Sequence, residues 1–447
     1  MVIIRPMKYH IWTEGCQMNV ADSQRLSTAL EELGYEPSPK AEDADVVVLN
    51  TCVVRQSAED KAYGRLTSLQ PLKSKHPARV IALMGCLVGI KDNPKLKERF
   101  PYVDVFAPPS NPSPLIQFLV ERDGKELADT EKASLNSILG ESQMLPPSQV
   151  GKAVTANLPI VLGCSHACTY CVIPYRRGRE ISRLPEEILA EAQQLAYQGI
   201  REITLLGQIV DRYGKDREDQ PSLSGLLRRL HSIDGLQRIR FLTSHPNWMT
   251  DELLKTAADL PKVMPHMEVP VQAGDDAVLL RMRRGYTSGE FRSLIDRIRT
   301  FIPGVSIGTD VIVGFPGETE AQFQNTFDLL SDLRMDVVHL ARYSPRPDTW
   351  AARNLSDDIP EKEKWRRFRL LEDLQEMVAS EIHARLMDQT VLVLFEAIHK
   401  NRWKGRSETN KLVFAESGED LRGQIKPVKI TRTGAWSLSG VLQQPAK

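Results

Sequence analysis

Along the N-terminal quarter of the chain, short apolar runs alternate with amphipathic stretches. Tyr9 to Trp12, Asp45 to Leu49, Val80 to Met84 and Val103 to Phe106 predict strands, while Ala21 to Leu33 and Ala58 to Leu69 predict helices. Strand–helix alternation points to a parallel, doubly wound sheet, because a parallel pair needs a crossover connection. From about Asp123 to Asn157 the pattern lapses into a polar stretch with Pro146-Pro147, read as a linker. A second series follows, with strand runs at Ile160 to Leu162, Glu202 to Leu206, Arg238 to Leu242, Met267 to Val271, Ser306 to Val313 and Val337 to Leu340. Helical stretches such as Pro185 to Gln198 and Glu320 to Leu333 separate them. Successive βα units of this kind predict a parallel barrel, here a partial one, with its site at the C-terminal strand ends. A charged helix from Glu361 to about Leu386 then leads into Thr390 to Ile398, Asn410 to Phe414 and the alternating Ile425 to Leu442. With no long helix after them, these predict a small antiparallel barrel.

Composition changes the picture little until it is resolved along the chain. The 447 residues suit about three domains, and 58 Lys+Arg balance 58 Asp+Glu. Zero net charge argues against a chain that coats nucleic acid or anionic lipid indiscriminately, yet leaves room for one basic domain. Residues 384–447 are that domain, holding 11 Lys+Arg against 6 Asp+Glu, which leaves −5 on the rest. The longest apolar stretch, Val80 to Ile90, is too short to span a bilayer, and the N-terminus lacks a signal-peptide layout. A cytoplasmic protein with reduced thiols is expected.

The six cysteines divide into Cys16, Cys52 and Cys86, each a few residues beyond a predicted strand, and Cys164, Cys168 and Cys171 in one Cys-x3-Cys-x2-Cys loop. Because ligands in open α/β sheets sit outside the carboxyl ends of strands, the first three can meet at one sheet edge. The other three are close enough to share one inorganic cluster. A 4Fe-4S cluster takes four ligands, so three cysteines leave one iron open to an exogenous molecule. A zinc ion recruiting His166 is the alternative for the loop, and small buried hydrophobes are the alternative for the scattered three.

The cysteine loop, with Tyr170 before its last cysteine and at the head of a βα series, resembles the radical S-adenosylmethionine (SAM) superfamily. The segments TEGCQMNVADS at 13–23, NTC at 50–52, GC at 85–86 and GCSHACTYCVIPYRRGREISR at 163–183 narrow this to the methylthiotransferase family. So do PVQAGDDAVLLRMRRGYT at 270–287, GTDVIVGFPGET at 308–319 and YSPR at 343–346. Gln17-Met18-Asn19 and GRSETNKLVF at 405–414 resemble its tRNA branch, the MiaB type. The resemblance implies an N-terminal methylthiotransferase domain over residues 7–123, a radical SAM core of (β/α)6 form over 150–382 and a TRAM RNA-binding barrel over 383–447. It also implies two three-cysteine 4Fe-4S clusters, with SAM on the open iron of the core cluster, where an injected electron splits it into methionine and a 5′-deoxyadenosyl radical. The implied reaction converts N6-isopentenyladenosine at tRNA position 37 into its 2-methylthio derivative. Branches of the family acting on threonylcarbamoyl-adenosine or on a ribosomal-protein aspartate are the nearer alternative. A non-catalytic iron-sulfur RNA-binding protein is the further one.

Weaker expectations attach to single residues. By the resemblance Tyr170 lies on the adenine side of SAM, and Gly207, Gln208, Gln272 and Gly314 line the cofactor site at the strand ends. Arg176, Arg177 and Arg179 are read as contacts to tRNA phosphate or SAM, or as solvated. Lys400, Arg402, Lys404 and Arg406, in one predicted loop with Trp403 among them, are candidates for phosphate contact and base stacking. Implied partners are a tRNA anticodon stem-loop, an electron donor such as flavodoxin or ferredoxin and a sulfur donor, with the enzyme a monomer. The chain departs from the branch at Ile209 and Asp211, where Asn-Val-Asn commonly follows Gly-Gln, and at Asp348, where Gly is common.

Overall fold

The computed structural model describes residues 6–124 and 144–443, so the middle of the expected linker, residues 125–143, lies outside the described residues. The chain forms two compact units. The first comprises residues 1–151, 157–166 and 171–198, and the second 152–156, 167–170 and 199–447.

In the first unit, β1 (Lys8–Thr13), β2 (Glu36–Pro37), β3 (Val46–Thr51), β4 (Val80–Gly85) and β5 (Val105–Ala107) form a sheet of order β2-β1-β3-β4-β5. Every pair is parallel. The apolar run of β3 is buried on both faces, since Val46 and Val48 join Leu26, Leu30 and Leu119 in one core while Val47 and Leu49 join Leu66 and Leu83 in the other. At ~1.5–3 kcal/mol for each fully buried side chain of this size, the two layers hold the sheet. The predicted helices run longer than their apolar periodicity, as Gln17–Glu32 and Gln56–Lys75. β2 escaped the pattern because it is two exposed residues at the sheet edge, where Pro37 sacrifices no ladder bond.

The core strands are β6 (Thr155–Pro159), β9 (Glu202–Leu206), β10 (Arg238–Leu242), β11 (His266–Glu268), β12 (Ser306–Val313) and β13 (Val337–Arg342). They make a partial parallel barrel. The first of them starts inside the stretch read as linker. The predicted strand Ile160 to Leu162 instead ends as β7 (Val161–Leu162), paired antiparallel with β8 (Ile181–Ser182). β11 stops short of the predicted Val271, because Pro270 has no N–H for the ladder. Glu268 on β11 lies 3.1 Å from His266 Nε2 and 3.7 Å from His339 Nε2. Burial alone would raise its carboxyl, but hydrogen bonds from the two imidazoles pull it down to about 2.

The helix Glu361–Ala384 leads into β14 (Thr390–His399), β15 (Arg402–Ser407), β16 (Leu412–Ala415), β17 (Ile425–Thr433) and β18 (Leu438–Leu442). These close into a barrel of order β14-β15-β16-β18-β17, antiparallel except for the β16–β18 pair. Within the second unit the barrel is fastened to the core by arginines that donate to backbone carbonyls. Arg238 reaches Arg406 O (2.8 Å) and Leu392 O (3.0 Å), and Arg240 reaches Glu408 O (3.0 Å) and Ser407 O (2.9 Å). Lys411 closes the joint on Asp336 at 2.6 Å.

Candidate metal centres

Cys16 lies three residues beyond β1, and Cys52 and Cys86 directly follow β3 and β4. These strands are neighbours in the sheet, so the thiols leave adjacent C-terminal strand ends, about 4.8 Å apart per strand. The turn is tight enough that a Cβ on Gly15 would stand 2.6 Å from Cys52 Cβ, and Gly15 has φ +132°. Only glycine admits both the close approach and that backbone. Asn19 and Asn50 lock the edge. Asn19 Nδ2 donates to Asn50 Oδ1 (3.1 Å) and Thr51 O (2.9 Å), and Asn50 Nδ2 donates to Asn19 O (2.8 Å) and Ser23 Oγ (3.0 Å).

Arg177 completes this site. Its Nε lies 3.2 Å from Cys86 Sγ, and the rest of its guanidinium donates to Asn19 Oδ1 (3.0 Å), Ser110 Oγ (3.0 Å) and Asp22 Oδ2 (3.2 Å). The expectation of a phosphate, SAM or solvated role is thereby corrected: this side chain is buried, and its donors are spent inside the first unit. Arg179 is exposed, and Arg176 packs on the turn at Gly89. Burial pushes the Cys52 thiol up to about 12 and raises that of Cys86 as well, with Arg177 opposing the rise at Cys86. Ligation must therefore displace protons.

In the loop, Cys164 is buried and its Sγ accepts the His166 backbone N–H at 3.4 Å. Cys164 N donates to Gly178 O at 3.1 Å. The division between units runs through this loop, since Cys168 and Tyr170 group with the second unit. There Cys168 Sγ lies 3.3 Å from Arg284 Nη1, and Arg284 also donates to Tyr286 Oη (2.9 Å) and Pro270 O (3.1 Å). Burial would lower the Arg284 pKa, but the facing Tyr170, Tyr286 and Cys168 outweigh it and hold it well above its ordinary value. Tyr170 meets Phe315 edge to face at 6.5 Å, and Phe315 meets Tyr343 at 5.1 Å.

Gly207 and Gln208 directly follow β9, with Gly207 N donating to Leu242 O at 3.1 Å. Gln272, at φ +75°, bridges to Val311. Gly314 was expected to line the cofactor site. A Cβ there would stand 2.4 Å from Lys364 Cγ, and its N–H donates to Glu318 Oε2 at 2.7 Å. The stem of Lys364 is what the missing Cβ admits. The departures are absorbed locally. Ile209 is buried, the Asp211 carboxylate accepts the His245 N–H at 3.0 Å, and Asp348, at φ +74°, pairs with Arg353.

The predicted basic loop is a strand. Lys400 and Asn401 make a two-residue turn with φ +48° and +62°, and β15 then alternates. Trp403 points into the barrel core at 4% exposure, packed with Phe395 and Val413, so it cannot stack on a base. Arg406 Nη1 donates to Asn410 O at 2.9 Å and holds the next turn. Arg402 lies over the Phe414 ring at 4.8 Å, and Lys404 stands opposite Phe414 in register. Sequence reasoning passed over Phe414 although it stood in the quoted GRSETNKLVF segment.

The donor sets suit iron-sulfur clusters: two groups of three thiols, with backbone N–H groups of Val54 and His166 aimed at Cys52 and Cys164 sulfurs. Among the described residues, no three His, Cys, Asp or Glu side chains converge on a position for one metal ion. Family models for the radical SAM superfamily and for the uncharacterized protein family UPF0004 match residues 158–330 and 8–108. A relative from Roseiflexus sp. (strain RS-1) is 47% identical over 98% of this chain and 90% of its own length. Another, from Dehalococcoides mccartyi (strain CBDB1), is 47% identical over 97% of this chain and 98% of its own. Both are named tRNA-2-methylthio-N(6)-dimethylallyladenosine synthase. Among solved structures, the radical S-adenosylmethionine methyltransferase TsrM from Kitasatospora setae, with cobalamin and a 4Fe-4S cluster bound, is similar in fold. Its TM-score is 0.55 at 15% identity, covering 78% of this chain and 77% of that one.

Proposed function

The chain belongs to the family of tRNA-2-methylthio-N(6)-dimethylallyladenosine synthases, and from that premise we propose that it attaches a methylthio group to C2 of N6-isopentenyladenosine next to the anticodon. One observation carries the reading: two separate sets of three thiols, one at three neighbouring strand ends and one on a single loop. An aromatic C–H has no acidic proton at neutral pH, so acid–base side chains cannot activate it. When bound, two 4Fe-4S clusters and SAM supply the sulfur and radical chemistry.

The chain's own residues hold and orient. Cys16, Cys52 and Cys86 ligate one cluster, and Cys164, Cys168 and Cys171 the other, leaving an open iron in each. Tyr170, Phe315 and Tyr343 form an aromatic wall for the adenine side of SAM, with Gln272, Gly207 and Gln208 at neighbouring strand ends. On the barrel, Lys400, Arg402 and Lys404 meet RNA phosphates, and the Phe414 face takes the stacking role expected of Trp403. The partners are a tRNA anticodon stem-loop, a one-electron donor of the flavodoxin or ferredoxin kind and a sulfur donor. The protein acts as a monomer in the cytoplasm.

Mass spectrometry of tRNA nucleosides from a deletion strain tests this. Loss of 2-methylthio-N6-isopentenyladenosine with its unmodified precursor accumulating is expected. Unchanged levels would sink the assignment, and selective loss of the threonylcarbamoyl counterpart would move it to the neighbouring branch. Anaerobically reconstituted protein should carry about eight iron atoms per chain.

A further inference from the structure

Among the described residues, a buried arginine lies on a sulfur of each cysteine set, and the surroundings of these two guanidiniums differ by one carboxylate. Arg177, at 3.2 Å from Cys86 Sγ, also meets Asp22, which is itself buried. Arg284, at 3.3 Å from Cys168 Sγ, donates to the Tyr286 hydroxyl and the Pro270 carbonyl, both neutral, and meets no carboxylate among the described residues. The Arg177–Asp22 pair beside Cys86 therefore sums to zero, while Arg284 sets a positive charge beside Cys168. Charges in a water-poor interior are weakly screened, so that difference acts on any further charge placed on the sulfurs.

We propose that Arg284 sets the reduction potential of the core cysteine loop, and that Asp22 withholds the same effect from the N-terminal set. This rests on the two-cluster reading above. One-electron reduction adds one negative charge at a cluster. The electron comes from an external low-potential one-electron donor, which is oxidised in turn, and no bond forms and no proton moves. Arg284 stabilises the added charge, whereas the Arg177–Asp22 pair is already neutral. Electrons are thus directed to the loop, and the N-terminal set stays oxidised at the same poise. Arg284 acts on the loop through Cys168 and is a positioning residue.

The test uses full-length reconstituted protein in two forms, Cys16/Cys52/Cys86→Ala and Cys164/Cys168/Cys171→Ala, so that each cluster is titrated alone with dithionite and read by electron paramagnetic resonance. The loop should reduce at the higher potential. Arg284→Met should lower its reduced-to-oxidised ratio about tenfold at a fixed poise, a shift of ~59 mV for a one-electron couple, and Arg284→Lys should restore most of it. Asp22→Asn should raise the ratio at the N-terminal cluster by a similar factor. This second arm stands by itself if Arg284→Met does not fold. An Arg284→Met protein with its iron in place and an unmoved midpoint overturns the proposal, as does an unmoved N-terminal midpoint in Asp22→Asn. Parent protein without iron at one set would instead overturn the two-cluster reading.

Discussion

The two cysteine sets are built by opposite strategies. The N-terminal set draws its thiols from three strands of one sheet, and its buried charge is closed on itself through Arg177, Asp22, Asn19 and Ser110. The core set takes three thiols from eight consecutive residues, and the cation beside Cys168 meets no carboxylate among the described residues. A site assembled from distant segments needs its own interactions to hold its shape before anything binds. A loop already confines its ligands by chain connectivity, so its buried charge can be reserved for what it binds.

The most forceful way to break this contrast is to remove thiols. Alanine at Cys16, Cys52 or Cys86 should abolish methylthio product, a loss of at least ~10³-fold for a cofactor-borne step, while about four irons remain on the loop. Alanine at Cys164, Cys168 or Cys171 should also abolish product and leave the N-terminal iron. Iron analysis beside nucleoside mass spectrometry reads both, and loss of all iron from one substitution would mean the sets do not assemble independently.

Next in size is Asp22→Asn in metal-free protein. It leaves Arg177 buried without its counter-charge, and the first unit should lose about 3 kcal/mol in urea unfolding followed by Trp12 fluorescence. A change under about 0.5 kcal/mol would show that the neutral partners suffice and that the two sites are alike. Acid should single out the second unit. The Glu268 carboxyl sits at about 2 when folded, below the usual 4.5. The stability it contributes is present above about pH 4.5 and is lost as pH falls towards 2, up to about 3 kcal/mol. Glu268→Gln should flatten that window when unfolding is followed through the other five tryptophans. The smallest effect is expected at Asp348, held at φ +74°. Asp348→Gly should stabilise the second unit by about 0.5–1 kcal/mol and leave the first untouched.

Much of the fold was legible because periodicity reports burial. The run Val46 to Leu49 is apolar without a break and is buried on both faces, and Glu320 to Leu333 is the helix its pattern predicted. What failed were places where local chemistry overrode the pattern. Pro270 cut β11 short, and a run of alternating basic residues looked like a loop when it was one face of β15. That alternation was itself the missed signal, since Trp403 lies between Arg402 and Lys404 and had to face inwards. Gly15-Cys16, Gly85-Cys86 and Gly163-Cys164 repeat one dipeptide, and each glycine has positive φ. The repetition was readable, but not the close approaches that require it.

By itself the sequence determined the order of elements, the division of six thiols into three and three, and the placing of excess positive charge at the C-terminal end. Those properties follow from residue identity and spacing along the chain. Only the tertiary structure decided that Arg177 belongs to Cys86, 91 residues away, and Arg284 to Cys168, 116 residues away. It likewise decided that, among the described residues, one of these cations meets a carboxylate and the other a hydroxyl and a carbonyl. Charge compensation in a protein interior depends on distance in space, and a linear pattern carries no record of which buried charges will meet.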